Sequence, residues 1–107
     1  MQYDKDIRSK HKQLFFEARE FLLSFDGIRE TKKERITSYS NDKGGICHMR
    51  TMPYGIDFGF LKGAKMEDKL DILTGKGKAI RVLSQKILCK ETIKYYLDQA
   101  IEINSKK

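Results

Sequence analysis

Apolar and polar residues alternate strictly from Tyr54 to Phe60, near the middle of the chain. This period-two pattern is typical of a strand that buries one face, most simply against a helix. The apolar side is formed by Tyr54, Ile56, Phe58 and Phe60. The other side is almost bare, because Gly55 and Gly59 flank Asp57 there. Glycine inside a strand often marks the close approach of a side chain, a backbone or a ligand, and a bulge or a packed segment is the alternative.

Helical spacing of apolar residues marks both ends of the chain. The first stripe predicts a helix over Asp4–Phe25, with Asp4 as its cap and Gly27 as its stop. The second stripe predicts a helix over Lys90–Ile103, followed by a polar, frayed end at Asn104–Lys107. The stripe residues are Ile7, Leu14, Phe15, Ala18, Phe21, Leu22 and Phe25 in the first helix, and Ile93, Tyr96, Leu97, Ala100 and Ile101 in the second.

Two further segments complete a meander with the aromatic strand. Arg35–Ser40 is rich in β-branched and aromatic residues and predicts a short strand at the sheet edge. Asn41–Gly45 is a strong turn signal, and Ile46–Met52 is the returning strand of a hairpin. Pro53 separates this hairpin from the aromatic strand.

The remaining middle segment contains two glycine turns. Between them, Met66–Leu73 is expected to form a turn or two of helix with Leu70 and Leu73 inward, and Ala79–Ser84 predicts another strand. This order of elements favours an α+β fold, in which a three-strand meander and one further strand form a mainly antiparallel sheet. Both terminal helices are expected on one face, and residues 1–107 fit a single domain.

Charge, apolar content and cysteine count indicate which classes of binding partner and which location to expect. The chain has 22 Lys and Arg against 15 Asp and Glu, a net charge of +7, which permits binding to phosphates, nucleic acid or acidic surfaces. A solvated surface is the alternative, because acidic residues are interspersed along the chain. Met1–Lys10 lacks the apolar core of a secretory signal, and no apolar run approaches the roughly 20 residues that span a bilayer. Cys47 and Cys89 are too few for a disulfide framework, so we expect a cytoplasmic location and no membrane partner.

The segment Gly75–Arg81 is the best candidate for binding chemistry. Glycines let backbone N–H groups approach an anion, and nearby cations supply charge. The expected ligand-binding residues are Lys62, Gly63, Gly75, Gly77, Lys78 and Arg81, with Asp57 orienting one of the cations across the bare strand face. The segment is not a P-loop, because Ile72 and Ala79 stand where that motif requires Gly and Ser or Thr. A sharp surface loop with solvated lysines is the alternative.

Other chemistry has less support. Cys47 and His48 are neighbours in a strand and therefore face opposite sides, which disfavours both a shared metal ion and a Cys-His nucleophile. Zinc-type spacings do not occur. Nucleic-acid binding stays open, with Tyr39 and Tyr95 as the only reasonable stacking residues. We expect a binding protein with no cofactor, and an enzyme of unknown reaction is the least favoured alternative.

From Asp57 onward the chain resembles the YdhG-like family of small bacterial domains of unknown function. The residues that carry the resemblance are Phe58–Ala64, Leu73–Arg81 and the closing Ala100-Ile101. The resemblance implies an α+β sandwich with terminal helices on an antiparallel sheet. Many relatives have Pro-x-Tyr or Pro-x-Phe after the first helix, whereas this chain has Thr37-Ser38-Tyr39.

One family member has been described as a frataxin-like iron chaperone, so iron handling is an alternative function that the resemblance implies. Iron favours clustered carboxylates, but the first predicted helix mixes acidic with basic residues. The main expectation is a small non-enzymatic domain, monomeric or homodimeric, that binds an anionic ligand or a protein at the glycine loop. A protein-interaction module or homodimer is the third possibility.

Overall fold

The structure, a computed structural model, describes residues 1–106. Five antiparallel strands form one sheet in the order of the chain, and helices at both termini pack on it. The strands are β1 (Arg29–Lys32), β2 (Thr37–Asn41), β3 (Gly44–Met52), β4 (Gly55–Phe60) and β5 (Arg81–Gln85). The helices are α1 (Gln2–Asp6), α2 (Lys12–Leu23) and α3 (Lys90–Ser105), with a short 3-10 turn at Gly63–Lys65. The predicted α+β class is confirmed.

The aromatic face of β4 lies in the core, as the alternation predicts. Phe58 and Phe60 are fully buried and share one cluster with Leu22 of α2 and Tyr96 of α3. Neighbouring strands continue this face, since Met49 of β3 and Leu83 of β5 stand beside Phe58 in the register. Removal of this apolar surface from water holds the helices against one side of the sheet.

The N-terminal helix is broken in two, so the prediction of one helix over Asp4–Phe25 is wrong. Asp6 is fully buried, and its Oδ1 accepts hydrogen bonds from the backbone N and Oγ1 of Thr51 at 3.0 and 2.8 Å. Ser9 Oγ accepts a bond from the N–H of His11, a local contact that competes with helical bonding. These contacts pin α1 to β3 and let the chain turn before α2 begins.

Strand β1 was not predicted, and it covers the segment expected at the sheet edge. Arg19 of α2 donates to Glu30 of β1 from Nε and Nη2 at 2.6 and 2.9 Å. The buried Tyr39 hydroxyl of β2 donates to the same carboxylate at 2.9 Å. Burial opposes ionisation of Glu30, but the hydrogen bonds from Arg19 and Tyr39 outweigh it and hold the pKa of Glu30 below its ordinary value. A side-chain network thus joins a polar edge strand to the fold.

The segment Met66–Leu73 forms no helix, contrary to the prediction. The Asp68 carboxylate accepts bonds from the backbone N–H groups of Ile72 and Leu73, both at 3.1 Å, and from the Tyr96 hydroxyl at 2.6 Å. Leu70 is 49% exposed rather than inward, whereas Leu73 is partly buried. Asp68 therefore folds this irregular segment onto α3.

Two smaller predictions also change. Tyr54 does not join the apolar face, because its hydroxyl donates to Asp57 Oδ1 at 2.6 Å on the opposite side. Gly55 has a φ of 154° and starts the strand only after Tyr54.

The end of α3 is docked rather than frayed. Asn104 is buried and donates to the carbonyl oxygens of Gly44 and Gly45, and the helix continues through Ser105. The prediction of a frayed end is therefore wrong for Asn104 and Ser105. Lys107 lies outside the described residues.

Candidate functional site

The two glycine turns lie against each other at one end of the sheet. The N–H of Ala64 donates to the carbonyl of Ala79 at 2.8 Å. A Cβ at Gly63 would lie 2.5 Å from Arg81 Cβ and 2.7 Å from Arg81 N, closer than real atoms approach. Only glycine at position 63 therefore allows the first turn to contact the start of β5.

The Arg81 side chain organises the second turn. Its Nη1 donates to the carbonyls of Gly77 and Ile80 at 2.6 and 2.9 Å. Thr74 and Val82 exchange backbone hydrogen bonds at 2.9 Å and close the base of the loop. Gly75 has a φ of 123°, which favours glycine at the bend. One nitrogen of the Arg81 guanidinium, Nη1, is thus committed to the loop.

The backbone donors of the loop remain available. Within residues 1–106, the N–H groups of residues 76–80 make no hydrogen bond with a protein acceptor, while three carbonyls of the same stretch accept bonds from Arg81 and Ala64. Lys62 and Lys78 are exposed and form no ion pair with any described residue. Successive free N–H groups beside uncommitted ammonium groups are suited to binding an oxyanion.

Asp57 is not brought together with the loop cations. It lies on the face of the sheet away from the helices, and its Oδ1 accepts hydrogen bonds from Tyr54 and Ser84 at 2.6 and 2.7 Å. Arg81 pairs with Phe60 and starts on the helix-covered side. The structure therefore gives Asp57 different partners from the predicted cations.

Cys47 and His48 face opposite sides of β3. Cys47 is fully buried, and burial raises the pKa of its thiol to about 12. Among residues 1–106, no three His, Cys, Asp or Glu side chains lie close enough together to hold a metal ion. Tyr39 is fully buried, so the expectation of an exposed stacking residue there is wrong. Tyr95 is half-buried, with its ring centroid 4.8 Å from that of Tyr96.

No family model, curated protein or solved structure matches the chain. The resemblance to the YdhG-like family therefore rests on Phe58–Ala64, Leu73–Arg81 and Ala100-Ile101 alone. Within the described part of the chain, no helix has the length and apolar character needed to cross a membrane.

A second group of candidate side chains lies on the open face, and of its charged members only Asp57 was singled out from the sequence. Arg35, His48, Arg50 and Asp57 line a concavity of about 310 Å³, together with Ile36, Gly59 and Val82. The His48 ring occupies the space beside Gly59 that a Cβ would fill. Burial lowers the pKa of His48, and the charges of Arg50 and Lys33 lower it further.

The feature that could have revealed this group is the register in which β3 pairs with β4. His48 and Arg50 alternate with the core residues of β3 and face Gly59 and Asp57 of β4. Recognising them required the pairing of β3 with β4, because His48 is 11 positions from Gly59 in the sequence and Arg50 is 7 positions from Asp57.

Proposed function

We propose that this chain is a small, non-enzymatic cytoplasmic domain that binds a phosphate-bearing ligand at the glycine-loop end of its sheet. Backbone N–H groups of residues 76–80 are the donors, and Lys62 and Lys78 supply the charge. Arg81 acts as a positioning residue that holds the loop, and Gly63 lets the two turns meet.

The observation that carries the proposal is the orientation of the loop's polar groups. Arg81 Nη1 occupies the Gly77 and Ile80 carbonyls, and Ala64 occupies that of Ala79. With these carbonyls occupied by protein donors, a run of N–H groups is left to a ligand, as in other anion-binding turns. Phosphate suits such a site because it offers several acceptor oxygens to donors that are fixed in advance.

The non-enzymatic part rests on the two cysteines. Cys47 is buried with a raised thiol pKa and faces away from His48, so it forms no Cys-His pair. Cys89 is exposed, and the hydrogen bond from Thr92 lowers the pKa of its thiol, but no described His, Asp or Glu side chain forms a hydrogen bond with it as a general base would. Both cysteines are free thiols, which fits a reducing compartment.

The test is thermal unfolding of the full chain in sodium pyrophosphate, compared with sodium chloride of equal ionic strength. A ligand that binds only the folded state raises Tm with its concentration. We expect a Tm increase that saturates, that shrinks in Lys62→Gln and in Lys78→Gln, each made singly, and that persists in Lys12→Gln. Lys12 is an exposed lysine at the start of α2 and provides the charge-matched control.

Arg81→Lys separates positioning from charge. Lysine keeps the positive charge, but its ammonium lies one bond closer to the backbone than Arg81 Nη1, the single nitrogen that donates to both the Gly77 and Ile80 carbonyls. We expect Arg81→Lys to lose most of the pyrophosphate effect. Equal Tm values in pyrophosphate and chloride, or an equal loss in Lys12→Gln, would overturn the proposal.

A further inference from the structure

The open face of the sheet carries a second concavity, at a different place from the glycine loop. Its volume of about 310 Å³ lies at the small end of the range for ligand pockets. Ile36, Val82 and the His48 ring give it an apolar floor, whereas Arg35 and Arg50 supply two guanidinium groups. A small molecule with an apolar body and one anionic end matches this combination.

The arginines are not engaged within the protein. Arg50 stands opposite Asp57 in the register, yet neither Arg35 nor Arg50 forms an ion pair or a side-chain hydrogen bond with any described residue. Asp57 Oδ1 instead receives the Tyr54 and Ser84 hydroxyls. Unpaired guanidinium groups beside apolar surface are suited to binding a planar carboxylate through two parallel hydrogen bonds.

The position of Asp57 also selects among anions. Its carboxylate lines the same concavity and repels a ligand with two negative charges more strongly than a ligand with one. A doubly charged phosphate monoester is therefore disfavoured relative to a monocarboxylate. The His48 ring, fixed over Gly59, offers a flat surface against which an aromatic body packs.

We propose that the concavity lined by Arg35, His48, Arg50, Gly59 and Val82 binds a small aromatic monocarboxylate. The carboxylate pairs with the guanidinium groups, and the aromatic body covers the His48 ring and Val82. This site is independent of the phosphate site at the glycine loop.

The experiment is a titration of the ¹⁵N-labelled full chain with 2-naphthoate, followed by amide chemical shifts. We expect saturable shifts at His48, Arg50, Gly59 and Val82. Two probes test the contributions of the aromatic body and of the carboxylate separately. 2-Naphthalenemethanol has the aromatic body without the charge, and acetate has the charge without the aromatic body. Each should bind at least tenfold more weakly than 2-naphthoate.

Single arginine substitutions then test whether 2-naphthoate binds at this concavity. Arg50→Gln should weaken 2-naphthoate at least tenfold and Arg35→Gln severalfold, while Arg29→Gln, an exposed arginine of β1, should leave affinity within twofold. These are exposed side chains, so their loss leaves the core intact. Unchanged affinity in Arg50→Gln, equal binding of the neutral probe, or absence of saturable shifts would overturn the proposal.

Saturating pyrophosphate distinguishes the two sites. We expect 2-naphthoate affinity to change less than twofold in its presence, at constant ionic strength. Direct competition would show a shared site and contradict the independence of the open-face concavity. If pyrophosphate does not bind at the loop, the proposed function fails, but the 2-naphthoate titration still tests the open-face site. The two ligands are followed at different amides.

Discussion

The imidazole of His48 covers Gly59 on the neighbouring strand, in the space where any other residue would place its Cβ. The glycine that makes one face of β4 bare is therefore filled by a side chain from β3. This contact fixes the ring on the open face and partly removes it from water, which is the main reason for the lowered pKa of His48.

Substitution Gly59→Ala should displace the ring. The added Cβ overlaps the imidazole, so His48 has to rotate toward solvent, and overpacking of this kind typically costs about 1–3 kcal/mol. We expect the pKa of His48 to rise toward its ordinary value in an NMR titration. Gly77→Ala, where a Cβ meets nothing within 4 Å, is the control. An unchanged His48 pKa in Gly59→Ala would show that the ring is not held by this contact.

The pH dependence of stability follows from the same group. Because the folded state lowers the pKa of His48, the unfolded chain binds more protons between that pKa and the ordinary value near 6.5. The His48 contribution is therefore complete above pH 6.5 and is lost as pH falls through the folded pKa. In urea unfolding between pH 7 and 5, His48→Gln should lose less stability than the wild type. Parallel curves would contradict this assignment.

The two glycines of the candidate site should respond differently to alanine. Gly63→Ala forces a Cβ against the backbone of Arg81 and should cost about 1–3 kcal/mol of unfolding free energy. Gly77→Ala has open space and should change stability by no more than about 1 kcal/mol, in either direction. Urea unfolding measures both, and equal effects would mean that the turns do not pack as described.

The network around Glu30 should dominate the attachment of β1. Glu30→Gln leaves Arg19 without its carboxylate, and we expect a loss of about 1–3 kcal/mol, given that Arg19 is partly exposed. Asp98→Asn removes an exposed pair with Lys94 and should cost at most about 0.5 kcal/mol. The Glu30 contribution is present above the ordinary carboxyl pKa and is lost as pH falls through the lowered folded value. A similar cost for both variants at pH 7 would argue against the network.

The parts of the fold set by local periodicity were predictable. Alternation placed Phe58 and Phe60 in the core, and helical spacing located α3. The break after α1 was not predictable, since it depends on a bond between Asp6 and Thr51, which is 45 residues away. The strand β1 likewise depends on Arg19 and Tyr39, outside its own sequence.

The candidate site likewise has one part that the sequence predicts and another part that depends on tertiary contacts. Glycine and lysine spacing identified the loop from Gly75 to Arg81, but the commitment of Arg81 to loop carbonyls depends on how the loop bends. The open-face group around His48 and Arg50 becomes visible only when the register of β3 and β4 is known. Sequence patterns thus locate flexible or basic segments, and tertiary hydrogen bonds decide which of their groups remain free.

The most direct measurement of the central proposal is an amide-shift titration of the ¹⁵N-labelled chain with inorganic pyrophosphate at constant ionic strength. We expect saturable shifts concentrated at the amides of residues 76–80, with one common dissociation constant that increases in Arg81→Lys. Shifts that stay linear in concentration, or that spread evenly over the exposed lysines, would contradict it.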